Sequence, residues 1–112
     1  MQVSVKPLKQ VDIVKVIGRI DSATAPDFET SLKGLVERGR KKIVIDLAGC
    51  DYISSAGLRA MLATLKLSKH GVSSGNVVLT GANDRIRDTL ELVGFHTLFS
   101  QFDDLVDAVD SF

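Results

Sequence analysis

The first twenty residues alternate between apolar and polar side chains in the way that strands do. Val3 and Val5 have polar neighbours, and a second apolar set over residues 11–17 ends at Gly18. A period of two is typical of strands, because successive side chains point to opposite faces of a sheet. The pattern predicts two strands joined by a hairpin-like turn over residues 6–10.

Four later segments place apolar residues at intervals of three and four, which predicts four amphipathic helices. The first begins at Thr24, whose hydroxyl is suited to cap free N–H groups, and it ends at Gly39. The third begins at Asn83 or Asp84 and ends at Gly94. The apolar faces consist, in chain order, of Phe28, Leu32, Leu35 and Val36; Leu58, Met61, Leu62 and Leu65; Ile86, Leu90 and Val93; and Leu105, Val106 and Val109.

Two nearly continuous apolar runs, over residues 43–47 and 77–79, lie between these helices. Such runs are typical of parallel strands that are covered on both faces. Leu98 and Phe99 are consistent with a short strand or a turn. The alternation predicts an α/β fold, with a mixed, mostly parallel sheet of four or five strands, about four helices and the N-terminal hairpin at one edge. A length of 112 residues suits a single domain over residues 1–112.

Composition and charge narrow the possible classes of function. Lys plus Arg and Asp plus Glu number 14 each, so no broad basic field is available for direct binding of nucleic acid. No apolar run approaches the ~20 residues of a membrane-spanning helix, and Lys6 and Pro7 interrupt any signal peptide. Cys50 is the only cysteine, and no histidine stands at metal-ligand spacing from it. We therefore expect a cytoplasmic protein without membrane insertion, metal or cofactor.

The segment from Asp46 to Arg59 has the most distinctive pattern. It predicts a buried strand, a short turn and a helix that starts within residues 54–57, with Ser54 or Ser55 as its N-cap. Free N–H groups at a helix start suit a phosphate, and no general base or metal-ligand cluster lies nearby in the sequence. A serine that receives a phosphate is therefore favoured over a catalytic serine, although a plain helix cap explains the same residues. No glycine-rich nucleotide-binding pattern occurs, so an enzyme or a nucleotide-binding protein has little support.

The helix that follows offers a candidate docking surface. Arg59, Ala63 (or Leu62) and Lys66 recur at about the same angle as Ser55. A solvated helix face without a partner is the plain interpretation of the same residues.

Residues 43–58, Ile-Val-Ile-Asp-Leu-Ala-Gly-Cys-Asp-Tyr-Ile-Ser-Ser-Ala-Gly-Leu, resemble the signature of the anti-sigma factor antagonists, a family of STAS domains. The segment Gly18-Arg19-Ile20-Asp21 is similar to that family's step after the second strand. Residues 78–81 and 90–95 resemble its fourth strand and third helix, and residues 98–99 and 103–109 resemble its tail. The resemblance covers essentially the whole chain and implies a STAS fold.

The resemblance also implies a phosphorylation switch. In this family the unphosphorylated antagonist binds an anti-sigma factor, often itself a serine kinase, which uses ATP to phosphorylate one serine and then releases the antagonist; a PP2C-type phosphatase resets it. Alignment on the family's turn places the acceptor at Ser55, with Ser54 as the second choice. We expect a protein that is not an enzyme and that is a monomer or a weak dimer. The residues expected to contact the partner are Asp21, Ser22, Ser54, Ser55, Gly57, Arg59, Ala63 and Lys66.

Two residues depart from the family's pattern. Ser54 stands where members often carry Asp, and Arg59 stands where they often carry Gly. The first change removes a carboxylate beside the acceptor, and the second adds a long cation to the docking helix. Standalone STAS proteins also serve as accessory subunits of lipid (ABC) transporters, an alternative that keeps the fold and changes the partner.

Overall fold

The computed structural model describes all 112 residues of the chain. The strands are β1 (Gln2–Pro7), β2 (Val11–Ile20), β3 (Lys42–Ile53), β4 (Asn76–Thr80) and β5 (Gln101–Phe102). The helices are α1 (Ala25–Glu37), α2 (Ser55–Ser68), α3 (Asp84–Leu92) and α4 (Leu105–Asp110), and a 3₁₀ turn covers Phe95–Thr97. None of the helices combines the length and the apolar character that crossing a membrane requires.

The strands form one sheet in the order in which they occur along the chain. β1 runs antiparallel to β2 at one edge, and the other neighbouring strands are parallel. Each helical crossover therefore moves one strand further in the same direction, and right-handed crossovers place all three connecting helices on the same face. This topology confirms the predicted α/β fold, with a mixed, mostly parallel sheet and a hairpin at its edge.

The two faces of the sheet carry cores of different size. On one face, side chains such as Phe28 from α1, Met61 from α2 and Leu90 from α3 join a cluster of 23 buried residues. On the other face α4 packs Ala108 against strand residues in a cluster of five. Hydrophobic stabilisation grows with buried apolar area, so most of it arises on the face that holds α2.

An ion pair with one buried partner lies at the edge of the sheet where β2 and β3 begin. The Asp12 carboxylate is only 2% exposed, and its Oδ2 accepts a hydrogen bond of 2.7 Å from Nε of Arg40. The same guanidinium donates to the carbonyl oxygens of Leu8 and Lys9. Arg40 thus joins the hairpin turn to the connection between α1 and β3.

The predicted ends of two strands are wrong. The apolar run that predicts the third strand ends at residue 47, but β3 continues to Ile53. The Asp46 carboxylate accepts a hydrogen bond from the N–H two residues further on, within the strand. β2 likewise runs past Gly18 to Ile20, and its register with β3 shifts twice over residues 15–19. These irregularities bend the strands without ending them, which is the usual effect of a β-bulge.

One further local prediction is wrong, and one alternative left open by the sequence is decided. Thr24 does not cap α1 with its side chain, because its backbone is helical (φ −99°, ψ −19°) rather than extended. Its Oγ1 instead accepts a hydrogen bond from the N–H of Asp21 and donates to the carbonyl oxygen of Arg19. The short C-terminal strand forms at Gln101–Phe102, so the turn is the correct alternative for residues 98–99.

Candidate functional site

The start of α2 lies directly over the C-terminal ends of two adjacent parallel strands. Ile20 at the end of β2 pairs with Ile53 at the end of β3, and the N–H of Ser54 donates to the carbonyl oxygen of Ile20 at 2.8 Å. Gly57 is buried, and a Cβ at this position would lie 2.7 Å from Cγ2 of Ile20 and 2.9 Å from Cγ2 of Ile53. Only glycine therefore allows the first turn of α2 to approach the strand ends this closely.

Ser54 and Ser55 have different roles although they are adjacent. Ser54 is the N-cap, with extended backbone (φ −80°, ψ 170°), and its Oγ accepts a hydrogen bond of 3.2 Å from the N–H of Gly57. Ser55 is the first helical residue, its side chain is exposed, and its hydroxyl has no hydrogen-bond partner within the protein. The hydroxyl that is free for chemistry or binding is therefore that of Ser55.

The electrostatic setting at Ser55 suits an anion. The first N–H groups of a helix have no intrahelical acceptor and form the positive end of the helix dipole. The first turn of α2 contains no acidic side chain that would neutralise this end. Ser54 satisfies one of the free N–H groups, that of Gly57.

Asp21 and Ser22 begin the loop that follows β2, next to the hydrogen bond between Ile20 and Ser54. Oδ1 of Asp21 accepts hydrogen bonds from the N–H groups of Ala23 and Thr24, both at 3.0 Å, and from the hydroxyl of Thr24. The hydrogen bonds from the Thr24 N–H and hydroxyl lower the pKa of Asp21 below its ordinary value. The carboxylate of Asp21 is thus charged and shapes the loop, whereas Ser22 is exposed and makes no side-chain hydrogen bond.

The side chains of α2 divide as the sequence predicts. Leu58, Met61 and Leu65 are buried against the sheet and α1. Arg59 and Lys66 are exposed on the side of Ser55. The residues between these two faces, Leu62 and Ala63, are both half-buried. The predicted site residues on α2, except the buried Gly57, are therefore accessible together along one side of the helix.

The structure also shows a cation–π pair next to the site that the sequence analysis did not predict. The guanidinium of Arg19 lies over the ring of Tyr52, 4.5 Å from the centroid of that ring. Tyr52 directly precedes Ile53 in β3. The two residues are partners in the register between β2 and β3. That register follows the two shifts in β2, and spacing in the sequence gives no signal for it. The pair places a further cation beside the start of α2.

Two other features lie apart from this site. Cys50 is buried, and desolvation raises the pKa of its thiol above the ordinary value, so the thiolate form is disfavoured. A cavity of about 310 Å³ lies between α3 and β5, where Arg87, Glu91 and His96 contribute to its lining. None of the predicted site residues lines this cavity.

Comparison with known proteins identifies relatives along almost the whole chain. A profile of the STAS domain matches residues 2–108. BtrV of Bordetella bronchiseptica, provisionally named an anti-sigma factor antagonist, is 37% identical over 82 residues, which are 73% of this chain and 69% of BtrV. The anti-sigma-B factor antagonist of Staphylococcus aureus is 31% identical over 85 residues, which are 76% of this chain and 77% of that protein.

Solved structures of anti-sigma factor antagonists have the same fold as this chain. The crystal structure of an anti-sigma factor antagonist from Mycobacterium paratuberculosis superposes with a TM-score of 0.86 at 28% identity, over 98% of this chain and 92% of that one. The phosphorylated form of the Bacillus cell fate determinant SpoIIAA superposes with a TM-score of 0.74 at 12% identity, over 98% of each chain. At that identity the second likeness shows the shared fold alone.

Proposed function

The chain belongs to the STAS domain family of anti-sigma factor antagonists, and we propose that it binds an anti-sigma factor kinase until phosphorylation of Ser55 separates the two proteins. Relatives at 37% and 31% identity carry the antagonist name, which supports the role. SpoIIAA, which shares the fold, exists in a phosphorylated form, so the fold is compatible with such a modification. We propose that the chain is the substrate of the kinase and of a PP2C-type phosphatase, and is not itself an enzyme.

One observation carries the choice of Ser55. Ser55 is exposed, and its hydroxyl has no hydrogen-bond partner in the protein. Ser54 is half-buried, and its hydroxyl oxygen accepts a hydrogen bond from the N–H of Gly57. Phosphorylation of Ser54 would remove the cap of α2, but phosphorylation of Ser55 leaves every hydrogen bond in place. A phosphate at the first helical position also meets the positive end of the helix.

The transfer needs only a nucleophile from this chain. Oγ of Ser55 attacks the γ-phosphorus of ATP on the kinase; the new O–P bond forms as the bond to the β–γ bridging oxygen breaks. ADP leaves, and the hydroxyl proton passes to a base on the kinase. This chain supplies an exposed hydroxyl on a fixed helix end, and the kinase supplies the nucleotide and the base.

The phosphate acts on the partner more than on the fold. Phosphoserine carries about −1.5 to −2 charges at neutral pH. A partner that packs on a neutral hydroxyl would then bury an unpaired charge, at a cost of about 3 kcal/mol or more, which is roughly a hundredfold loss of affinity. Release therefore requires no rearrangement of the sheet.

The test combines the purified chain with an anti-sigma factor kinase from the same host and ATP. We expect one phosphate per chain by mass spectrometry, none in Ser55→Ala, and one in Ser54→Ala, which is the matched control. We also expect Ser55→Asp to weaken binding of the kinase. Absence of transfer, together with unchanged binding by Ser55→Asp, would refute the proposal. Stable co-purification with a transporter ATPase, without phosphorylation, would favour the accessory-subunit alternative.

A further inference from the structure

The exposed side of α2 forms a straight line of residues that is longer than the predicted docking set. Ser55, Arg59, Leu62, Lys66 and Lys69 follow one another at intervals of four, three, four and three. At about 100° per residue, all of them fall within about 40° of the direction of Ser55, and the line is about 21 Å long. Lys69 belongs to it because this C-cap residue keeps a helical backbone (φ −91°, ψ −3°). We call this line the basic stripe.

The charges of the basic stripe have a single sign and no partners. α2 contains no Asp or Glu, and the ion pairs of the protein are Lys33 with Glu29, Arg40 with Asp12, and Arg87 with Asp103. The cations of the stripe are all exposed and make no side-chain hydrogen bond. Because the whole chain has zero net charge, this local excess of positive charge reflects the arrangement of residues and is not a consequence of composition.

We propose that the basic stripe docks on an acidic surface of the protein partner; this inference rests on the proposed function. The direction of the switch supports it. A negative charge added at Ser55 strengthens contact with a basic partner surface and weakens contact with an acidic one. Release on phosphorylation therefore fits a partner that presents carboxylates to this end of α2.

Arg59 extends the effect of the phosphate. It stands four residues after Ser55, the order in which an anion followed by a cation pairs best on a helix. A phosphate on Ser55 therefore competes with the partner's carboxylates for Arg59. One modification both adds a repulsive charge and withdraws a cation from the interface.

Nucleic acids and anionic membranes also attract cations, but the surroundings of the stripe favour a protein. The neighbouring helix α3 carries exposed charges of both signs, the carboxylates of Asp84 and Asp88 and the guanidinium of Arg85, so the basic stripe does not belong to the broad cationic field that a continuous array of phosphates requires. Leu62 sits half-buried in the middle of the stripe and provides apolar contact of the kind found at the centre of protein interfaces.

The test measures affinity by isothermal titration calorimetry with each anti-sigma factor kinase of the host, purified in turn. We expect Lys66→Glu to weaken binding by about tenfold or more, and Lys66→Gln by about two- to fivefold. Lys15→Glu, on the exposed part of β2 on the other face of the sheet, makes the same change in net charge and should leave affinity unchanged. Raising the salt concentration should weaken wild-type binding more than binding by Lys66→Glu. Thermal melts verify that each variant is folded.

The outcomes separate the two proposals. Binding of a kinase by the wild type with equal affinity in Lys66→Glu and Lys15→Glu overturns the acidic-surface inference and leaves the proposed function intact. Failure of the wild type to bind any of these kinases overturns the proposed function and this inference with it. Binding to a DNA duplex or to phosphatidylglycerol vesicles that Lys66→Glu abolishes, with kinase binding unaffected, assigns the stripe to a different partner and also overturns the inference.

Discussion

Replacement of Gly57 by alanine tests whether α2 is positioned by its contact with the strand ends. A Cβ at this site meets Cγ2 of Ile20 at 2.7 Å and Cγ2 of Ile53 at 2.9 Å. Both atoms branch directly from Cβ of isoleucines that are themselves buried, so rotation of a flexible side chain cannot relieve the contact. Overpacking of this kind costs about 1–3 kcal/mol, whereas alanine gains about 0.5–1 kcal/mol over glycine in a helix.

We therefore expect Gly57→Ala to lower the free energy of unfolding by about 1–2 kcal/mol. Gly34 in α1 is the matched control, because a Cβ there would lie no closer than 3.7 Å to Nη1 of Arg38. Gly34→Ala should raise the free energy of unfolding by about 0.5–1 kcal/mol. At roughly 4 °C per kcal/mol, the two variants should differ in Tm by about 6–12 °C.

Urea unfolding followed by far-UV circular dichroism measures both variants, since the chain has no tryptophan to report by fluorescence. Equal stability of Gly57→Ala and Gly34→Ala would refute the argument that close packing holds the start of α2. A second readout is phosphorylation: displacement of the first turn should slow phosphate transfer to Ser55 in Gly57→Ala and leave the rate in Gly34→Ala unchanged.

Three further predictions concern the cap of α2, the ion pair of Arg40 with the buried Asp12, and the loop after β2. Ser54→Ala removes the cap of α2 and should lower the free energy of unfolding by about 1 kcal/mol in urea titrations, while Ser55 still accepts phosphate. Arg40→Ala leaves the Asp12 carboxylate buried without its partner and should lower the free energy of unfolding by about 3 kcal/mol. The control is Arg38→Ala, at an exposed site without an ion pair, which should change the free energy of unfolding by less than about 0.5 kcal/mol. The depressed pKa of Asp21 contributes stability that is fully present above the pKa of the unfolded chain and is lost as the pH falls from there through the folded-state pKa. Thr24→Ala removes the hydroxyl donor and keeps the N–H donor, so it should raise the pKa of Asp21 in an NMR titration and make the acid-induced loss of stability smaller. An unchanged titration of Asp21 in Thr24→Ala would contradict the part of the shift assigned to the Thr24 hydroxyl.

Local rules of sequence explain the parts of the fold that could be predicted. Asn83 is one of two candidate caps of α3, and its Oδ1 accepts a hydrogen bond from the N–H of Ile86, as expected for an N-cap. Gly39 and Gly94 follow helix ends with positive φ, as their positions suggest. These features depend on residues within one turn of each other, so spacing in the sequence is sufficient to find them.

Features that depend on contacts between distant residues could not be predicted. The register shifts of β2 pair Arg19 with Tyr52, and no pattern in either strand indicates this pairing. The hydroxyl of Thr24 has the chemistry of a cap, but the loop after β2 offers it closer partners. The need for glycine at position 57 becomes visible only when Ile20 and Ile53 meet beneath the helix.

The two departures from the family's sequence pattern act on charge and preserve the backbone. Ser54 stands where members often carry Asp, and it occupies the N-cap position, where serine and aspartate are about equally effective. The cap is therefore kept while a negative charge next to Ser55 is lost. Arg59 stands where members often carry Gly, on the exposed side of a helix that arginine favours over glycine, so it adds a positive charge without disturbing the core. Both changes make the end of α2 that holds Ser55 more positive, and each therefore increases the contrast between the unmodified and the phosphorylated surface that an acidic partner would meet.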